Sequence, residues 1–238
     1  MNDSFSRVAR WEETGAATQQ QLAKIPIPGG WTWQTIEIES QSWRVLLPAD
    51  GNAFLADDEV AGRWPDPYWT QIWPAAKSLA KIVLQSDWAA NTSVLELGCG
   101  SGLVGLAALA RGCRVTFSDY VPLAVDLAVA NARSNGHPQA CGEILDWRNP
   151  PTEPKHDILL AADVLYDPEL HAPLLGALRA RLAHGGVVWL GDPGRLERVE
   201  KFLWRAEEAG WRVELRDEHN RPVAALARGE FRLILLRR

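Results

Sequence analysis

From Trp73 to the C-terminus the chain alternates short apolar runs with longer helical patterns, and few architectures accept that alternation. Residues 93–97, 114–118, 142–145, 157–161 and 187–190 read as strands. Between them lie helices that prolines open and glycines close. One starts at Pro74 with Ala76, Leu79, Ala80 and Val83 on one face. The next follows the glycine run 98–102 and ends at Gly112, and the others span residues 122–135, 173–182 and 196–209. Strands separated by helices demand a mostly parallel sheet with helices on both faces. The last two strands, 211–215 and 231–236, have no helix between them and are expected as an antiparallel pair. The class is α/β, a doubly wound, mostly parallel sheet of seven strands.

Residues 32–48 carry a different rhythm, TWQTIEIES then WRVLLP around a polar turn at Ser40, which is a hairpin signal. Seven of the 12 tryptophans fall at or before Trp73, so this part is expected to form an aromatic cap on the main domain. The expected division is 1–65 for an N-terminal arm and hairpin cap and 66–238 for the main domain. The acidic stretch from Glu37 to Asp66 reads as solvated.

A chain of 238 residues with 47% hydrophobic content can build its core without staples. Cys99, Cys113 and Cys141 are odd in number and lack a CxxC pair, which argues against a disulfide framework and a zinc site and for a reducing compartment. The five histidines show no metal-ligand spacing, so no metal is proposed. A net charge of −5 argues against nucleic acid as partner. No apolar run reaches the ~18–20 residues of a membrane span, and MNDSFSRVARWEE reads neither as a signal nor as a transit peptide. A cytoplasmic protein is expected.

In an open parallel sheet, ligands bind beyond the carboxyl ends of the strands. Just there stand Glu96 to Gly102 after the first strand, then Asp119, Asp146-Trp147, Ala162-Asp163 and Asp192. Acids recurring at one sheet edge mark a functional site. Gly100, Gly102 and Gly105 match the dinucleotide fingerprint GxGxxG, with Asp119 about 20 residues beyond, so NAD is a rival cofactor. Glu96 argues against it, because a carboxylate beside the glycine turn repels a pyrophosphate. It suits a ligand bearing an ammonium and no phosphate, such as S-adenosylmethionine, whose ribose Asp119 would hold.

Further stretches carry a family resemblance: Asp66-Pro67-Tyr68-Trp69 with Trp73-Pro74, then Leu95 to Gly102, Asp163-Val164-Leu165-Tyr166 and Gly191-Asp192-Pro193-Gly194-Arg195. Together they resemble the class I, Rossmann-like protein lysine methyltransferases with a DxxY motif, in particular those acting on the electron transfer flavoprotein β-subunit. The likeness covers residues 66–238. It implies that Trp73 packs on S-adenosylmethionine, that Gly98, Cys99, Gly100 and Gly102 line its amino-acid part with Glu96, and that Asp119 holds the ribose. Asp146 and Trp147 would meet the adenine, and Ala162 the cofactor. Asp163 and Tyr166 would face the reacting amine as catalytic residues, with Asp192 and Arg195 on the substrate side.

The residues alone leave plainer readings open: a helix start at Trp73, a core plug at Trp147, a helix cap at Asp163, a loop salt bridge between Asp192 and Arg195. The function expected is methyl transfer to lysine in a protein substrate. The alternatives are another protein or a small amine as acceptor, a NAD-dependent oxidoreductase, or a non-catalytic cofactor-binding protein. Asn149-Pro150-Pro151 precedes the fourth strand and reads as a turn, which disfavours glutamine and DNA adenine as acceptors.

Overall fold

Alternate residues along a strand point to opposite faces of a sheet, and here both faces are apolar. Val94, Ile158, Leu160, Trp189 and Leu235 join one core layer, and Leu95, Leu159, Val188, Leu190 and Ile234 the other. Only a sheet covered on both sides satisfies such strands. The computed structural model, which describes residues 18–55 and 67–238, has that architecture. Seven strands, β3 (Ser93–Leu97), β4 (Arg114–Asp119), β5 (Cys141–Ile144), β6 (His156–Ala162), β7 (Leu182–Asp192), β8 (Arg212–Arg216) and β9 (Arg232–Arg237), lie in the order β5-β4-β3-β6-β7-β9-β8. The pairs among β3 to β7 are parallel, and β9 runs antiparallel to both β7 and β8. Helices α1 (Pro74–Leu84), α2 (Leu103–Ala110) and α3 (Pro122–Ser134) contribute to one layer, while α4 (His171–Arg181) and α5 (Leu196–Glu208) fill the other. None of the described helices is long and apolar enough to cross a membrane.

Most boundaries fall within two residues of the sequence expectation. β7 is the exception, starting at Leu182 rather than at residue 187. Leu182 pairs with His156, then the ladder breaks and resumes with Ile158 opposite Val187. On α1, Leu79, Ala80 and Val83 join the core as expected, Ala76 packs half-buried against it at the open end of the sheet, and Ala75 is buried as well.

Strands β1 (Trp31–Ile38) and β2 (Gln41–Pro48) form the expected hairpin as a separate two-stranded sheet. Its inner edge is held by a helix acting as a third strand. Asn135, which caps the C-terminal end of α3, exchanges two hydrogen bonds with the backbone of Arg44, at 3.0 and 2.9 Å. One turn earlier Asn131 does the same with Leu46, at 2.8 and 3.2 Å. Residues four apart share a helix face, so the two amides match every second residue of the strand. Asn131 also donates to Ser101 O and accepts from Gln19 Nε2. We expect Asn131→Ala to destabilise the fold by about 3 kcal/mol or more, because several buried polar groups lose their partner at once. The half-exposed Asn135→Ala should cost far less. Urea unfolding of the two variants separates them.

Of the early tryptophans, Trp43 of the hairpin is buried in the core, while Trp69 and Trp73, beyond it, reach the open end of the sheet. Trp11, Trp64, the arm before residue 18, and Asp57, Asp58, Glu59 and Asp66 of the acidic stretch lie outside the described residues.

Candidate functional site

A cavity of about 450 Å³ opens at the carboxyl ends of β3, β4 and β6. Its floor is the turn after β3. Gly98 and Gly100 both have positive φ, 63° and 49°. A side chain at Gly98 would press on Val164 and on the Trp147 indole, so glycine there opens the space the indole overlooks. Gly100 donates its N–H to Asp119 Oδ2 at 3.1 Å, and Asp119 Oδ1 accepts the Val121 N–H at 3.0 Å. Asp119 thereby ties the end of β4 to the glycine turn. Burial pushes its carboxyl up to about 6 against those backbone donors.

Glu96 is 3% exposed and turns its carboxyl to the start of α2, where Oε2 accepts the Gly105 N–H at 2.9 Å. Burial pushes this carboxyl up to about 8, and the neighbouring Asp119 charge adds to the rise. Two consequences bear on the cofactor. A helix N-terminus is where a dinucleotide fold seats its pyrophosphate, and here the protein's own Glu96 occupies it. The expectation that Glu96 repels phosphate by charge needs correction: at pH 7, with no cation beside it, this carboxyl holds its proton, and it excludes phosphate by taking the donor. Gly105, which completes the GxGxxG match, is a packing glycine, since a side chain there would overlap the Phe117 ring and the Glu96 carboxyl.

Cys99 lines the cavity as a buried thiol that burial holds well above its usual pKa, which makes it a filler rather than a nucleophile. Trp147 and Ala162 line it as well. Asp146 sits at the rim with both oxygens engaged by the Arg148 guanidinium, at 2.9 and 2.8 Å, and this pairing lowers its pKa. Gly102 is not in the lining. Its φ of 82° starts α2, and a side chain there would run into Ala128 of α3.

The cavity continues into a second one of about 210 Å³, lined by Tyr68, Trp73, Asp163, Tyr166, Arg195 and Arg198. Three aromatic rings form its walls. Tyr68 lies 5.0 Å from Tyr166 and 6.1 Å from Trp73, centroid to centroid, and the Trp73 indole N–H donates to Tyr68 O at 2.8 Å. Asp163 is at the junction of the two cavities. Its φ is 64°, a left-handed conformation that Asp tolerates better than most residues. Burial raises its pKa while the ion pair with Arg195 opposes the rise. Asp192 lines neither cavity. It is fully buried and accepts the backbone N–H groups of Gly194 and Arg195, both at 2.8 Å.

The structure therefore gathers Trp73, Glu96, Gly98, Cys99, Gly100, Asp119, Asp146, Trp147, Ala162, Asp163, Tyr166 and Arg195 around one continuous space, and sets Gly102 and Asp192 behind it. Tyr68, Tyr120, Arg148 and Arg198 were not among the expected site residues, yet they line it too. Tyr120 follows a strand end directly, which was a usable signal. Arg198 belongs to α5, and its guanidinium reaches over to the Tyr166 carbonyl. Among the described residues no group of three His, Cys, Asp or Glu side chains is placed to hold a metal ion.

A family model described as lysine methyltransferase matches residues 64–209. The electron transfer flavoprotein beta subunit lysine methyltransferase of Rattus norvegicus is 34% identical over 145 residues, 58% of this chain and 55% of that protein. The protein N-lysine methyltransferase METTL21A of Danio rerio is 36% identical over 117 residues, 46% of this chain and 53% of its own. The chain thus spans about half the length of the curated relatives it matches. Among solved structures, the CcbJ methyltransferase of Streptomyces caelestis superposes with a TM-score of 0.57 at 15% identity, covering 75% of this chain and 94% of that one, a likeness of fold.

Proposed function

Since the chain belongs to the lysine methyltransferase family, we propose that it transfers methyl groups from S-adenosylmethionine to lysine side chains of a protein, and that this protein is the electron transfer flavoprotein β-subunit. The observation that carries the reading is the junction at Asp163, where a buried acidic group stands between a glycine-floored cleft and a three-ring aromatic channel. The name of the rat relative supports the choice of substrate.

The cleft suits the cofactor chemically. Glu96 is buried, with backbone N–H donors and the like charge of Asp119 beside it, so a ligand ammonium would complete its surroundings. Asp119 accepts backbone N–H groups from Gly100, Tyr120 and Val121, and the roughly four acceptor sites of a carboxylate leave room for a ribose hydroxyl. Trp147 over Gly98 and Trp73 at the far wall offer apolar faces, and Gly98, Cys99, Gly100 and Ala162 let the ligand approach the backbone. Asp146 would meet the adenine edge at the rim. Gly102 acts behind the turn by holding α2 against α3.

When bound, the cofactor supplies a methyl on a positively charged sulfur; the bonding pair stays with that sulfur as the new bond forms to nitrogen. The protein's part is to present the nitrogen. A free lysine has a pKa near 10.4, and Tyr68, Trp73 and Tyr166 desolvate it, which favours the neutral amine. Its proton leaves to water at the mouth beside the exposed Tyr68. Asp163 accepts a hydrogen bond from the amine and stabilises the charge that grows on it, while the channel keeps donor and acceptor in line. Residues 66–238 form the catalytic domain in this reading and residues 1–65 its arm and cap. The three free cysteines, one of them exposed, favour the cytoplasm.

Calorimetry with S-adenosylhomocysteine and NAD in parallel, followed by transfer of labelled methyl to purified β-subunit, tests the proposal. The expected result is binding of S-adenosylhomocysteine alone and label on lysine. Binding of NAD alone would overturn it, and label on other proteins but not on the β-subunit would remove the substrate assignment.

A further inference from the structure

Arg195 stands between two buried carboxylates. Its guanidinium is ion-paired with Asp163, and Asp192 Oδ2 lies 3.4 Å from the same Nη1. The side chains of Asp163 and Asp192 are 2% and 0% exposed. Asp192 also accepts two backbone N–H groups, which fixes the loop that carries Arg195. One guanidinium thus bridges two buried carboxylates, of which Asp163 lines the aromatic channel and Asp192 stands behind it. Resting on the lysine methyltransferase reading, we propose that Arg195 is a positioning residue: by bridging Asp163 and Asp192 it keeps the Asp163 carboxylate ionised and aimed at the junction where the lysine arrives.

The groups that face Asp163 are few. Asp192 is the last residue of β7 and Arg195 comes from the turn after it, Tyr166 from its own loop, Tyr68 from the turn before α1, and Arg198 from α5. Arg198 is engaged with the Tyr166 carbonyl. Without Arg195, burial and the neighbouring Asp192 are no longer opposed by the guanidinium and favour the protonated form of Asp163, while Asp192 retains its backbone donors. A neutral Asp163 then gives an arriving ammonium little to bind. A plain loop salt bridge would have no such consequence for Asp163.

The test compares R195M and R195K with the parent protein. Asp163 is titrated by carbon-13 NMR of Asp-labelled protein, its resonance assigned by its loss in D163N, and methyl transfer is measured with purified β-subunit as probe. In R195M the Asp163 midpoint should rise by about one unit or more, which corresponds to a tenfold change in ionisation. KM for the probe should rise, and kcat/KM should fall about tenfold or more. R195K, which keeps the charge, should recover most of both, and S-adenosylhomocysteine affinity should stay within about twofold in each. R195Q replaces R195M if that variant does not fold. An unmoved Asp163 midpoint in R195M or R195Q, or an R195K as impaired as R195M, overturns the proposal. Absence of methyl transfer by the parent protein counts against the function alone, because the carboxyl titration is read with no substrate present.

Discussion

Exchanging Asp163 for Asn should lower kcat for methyl transfer by about a hundred- to thousandfold, the usual cost of removing one preorganised group from a developing charge, while S-adenosylhomocysteine binds as before. The geometry sets both halves of that expectation. Asp163 stands where the cleft joins the aromatic channel, the place that the proposed function gives to the amine, whereas Glu96 and Asp119 line only the cleft. Asn is the informative substitution because it keeps the size of the side chain and tolerates the left-handed backbone at φ 64°. Ala does not, and Asp163→Ala should add about 1 kcal/mol of backbone strain to the catalytic loss. Single-turnover rates on the β-subunit, with thermal melts of both variants, separate the two effects. A D163N enzyme with turnover near the parent value would remove Asp163 from the chemistry.

Nearly the whole sheet was legible in the sequence because its signals are local. Pro74 and Pro122 sit at the first helical turn, and Gly112, Gly136 and Gly210 follow the helix ends with positive φ. What escaped depends on partners far apart in the chain. The early start of β7 comes from Leu182 finding His156, which no periodicity announces. Asn131 and Asn135 read as ordinary helix residues until β2, some 85 to 91 positions away, lies against them.

The site divided along the same line. Acids after successive strands revealed the cleft, since topology alone puts them at one edge. The roles behind the lining were not visible: Gly102 belongs to the motif by spacing but serves the contact between α2 and α3, and Asp192 orients Arg195 from behind. Glu96 was correctly placed beside the glycine turn, yet its protonation depends on complete burial, which a sequence does not state.

That protonation yields the second large effect. Cofactor affinity should rise with pH between about 6.5 and 8, by as much as about tenfold per unit, and Glu96→Gln should abolish the slope. Below about 8 the free protein holds a proton on Glu96, which an ammonium ligand must displace, so binding releases a proton and strengthens as pH rises. Asp119, pushed up to about 6, is already ionised through most of that window. Calorimetry of S-adenosylhomocysteine in buffers of different ionisation enthalpy counts the proton directly. The same displaced pKa has an opposite effect on the ligand-free fold. Between 4.5 and about 8 the folded state keeps a proton that the unfolded chain gives up, so stability falls as pH rises through that window. Gln removes this dependence and still accepts the Gly105 N–H, so E96Q should melt higher than the parent at pH 8 while binding the cofactor at least about tenfold more weakly. A parent protein whose affinity is flat from pH 6.5 to 8, with no proton released on binding, would show that Glu96 meets no cation in the complex.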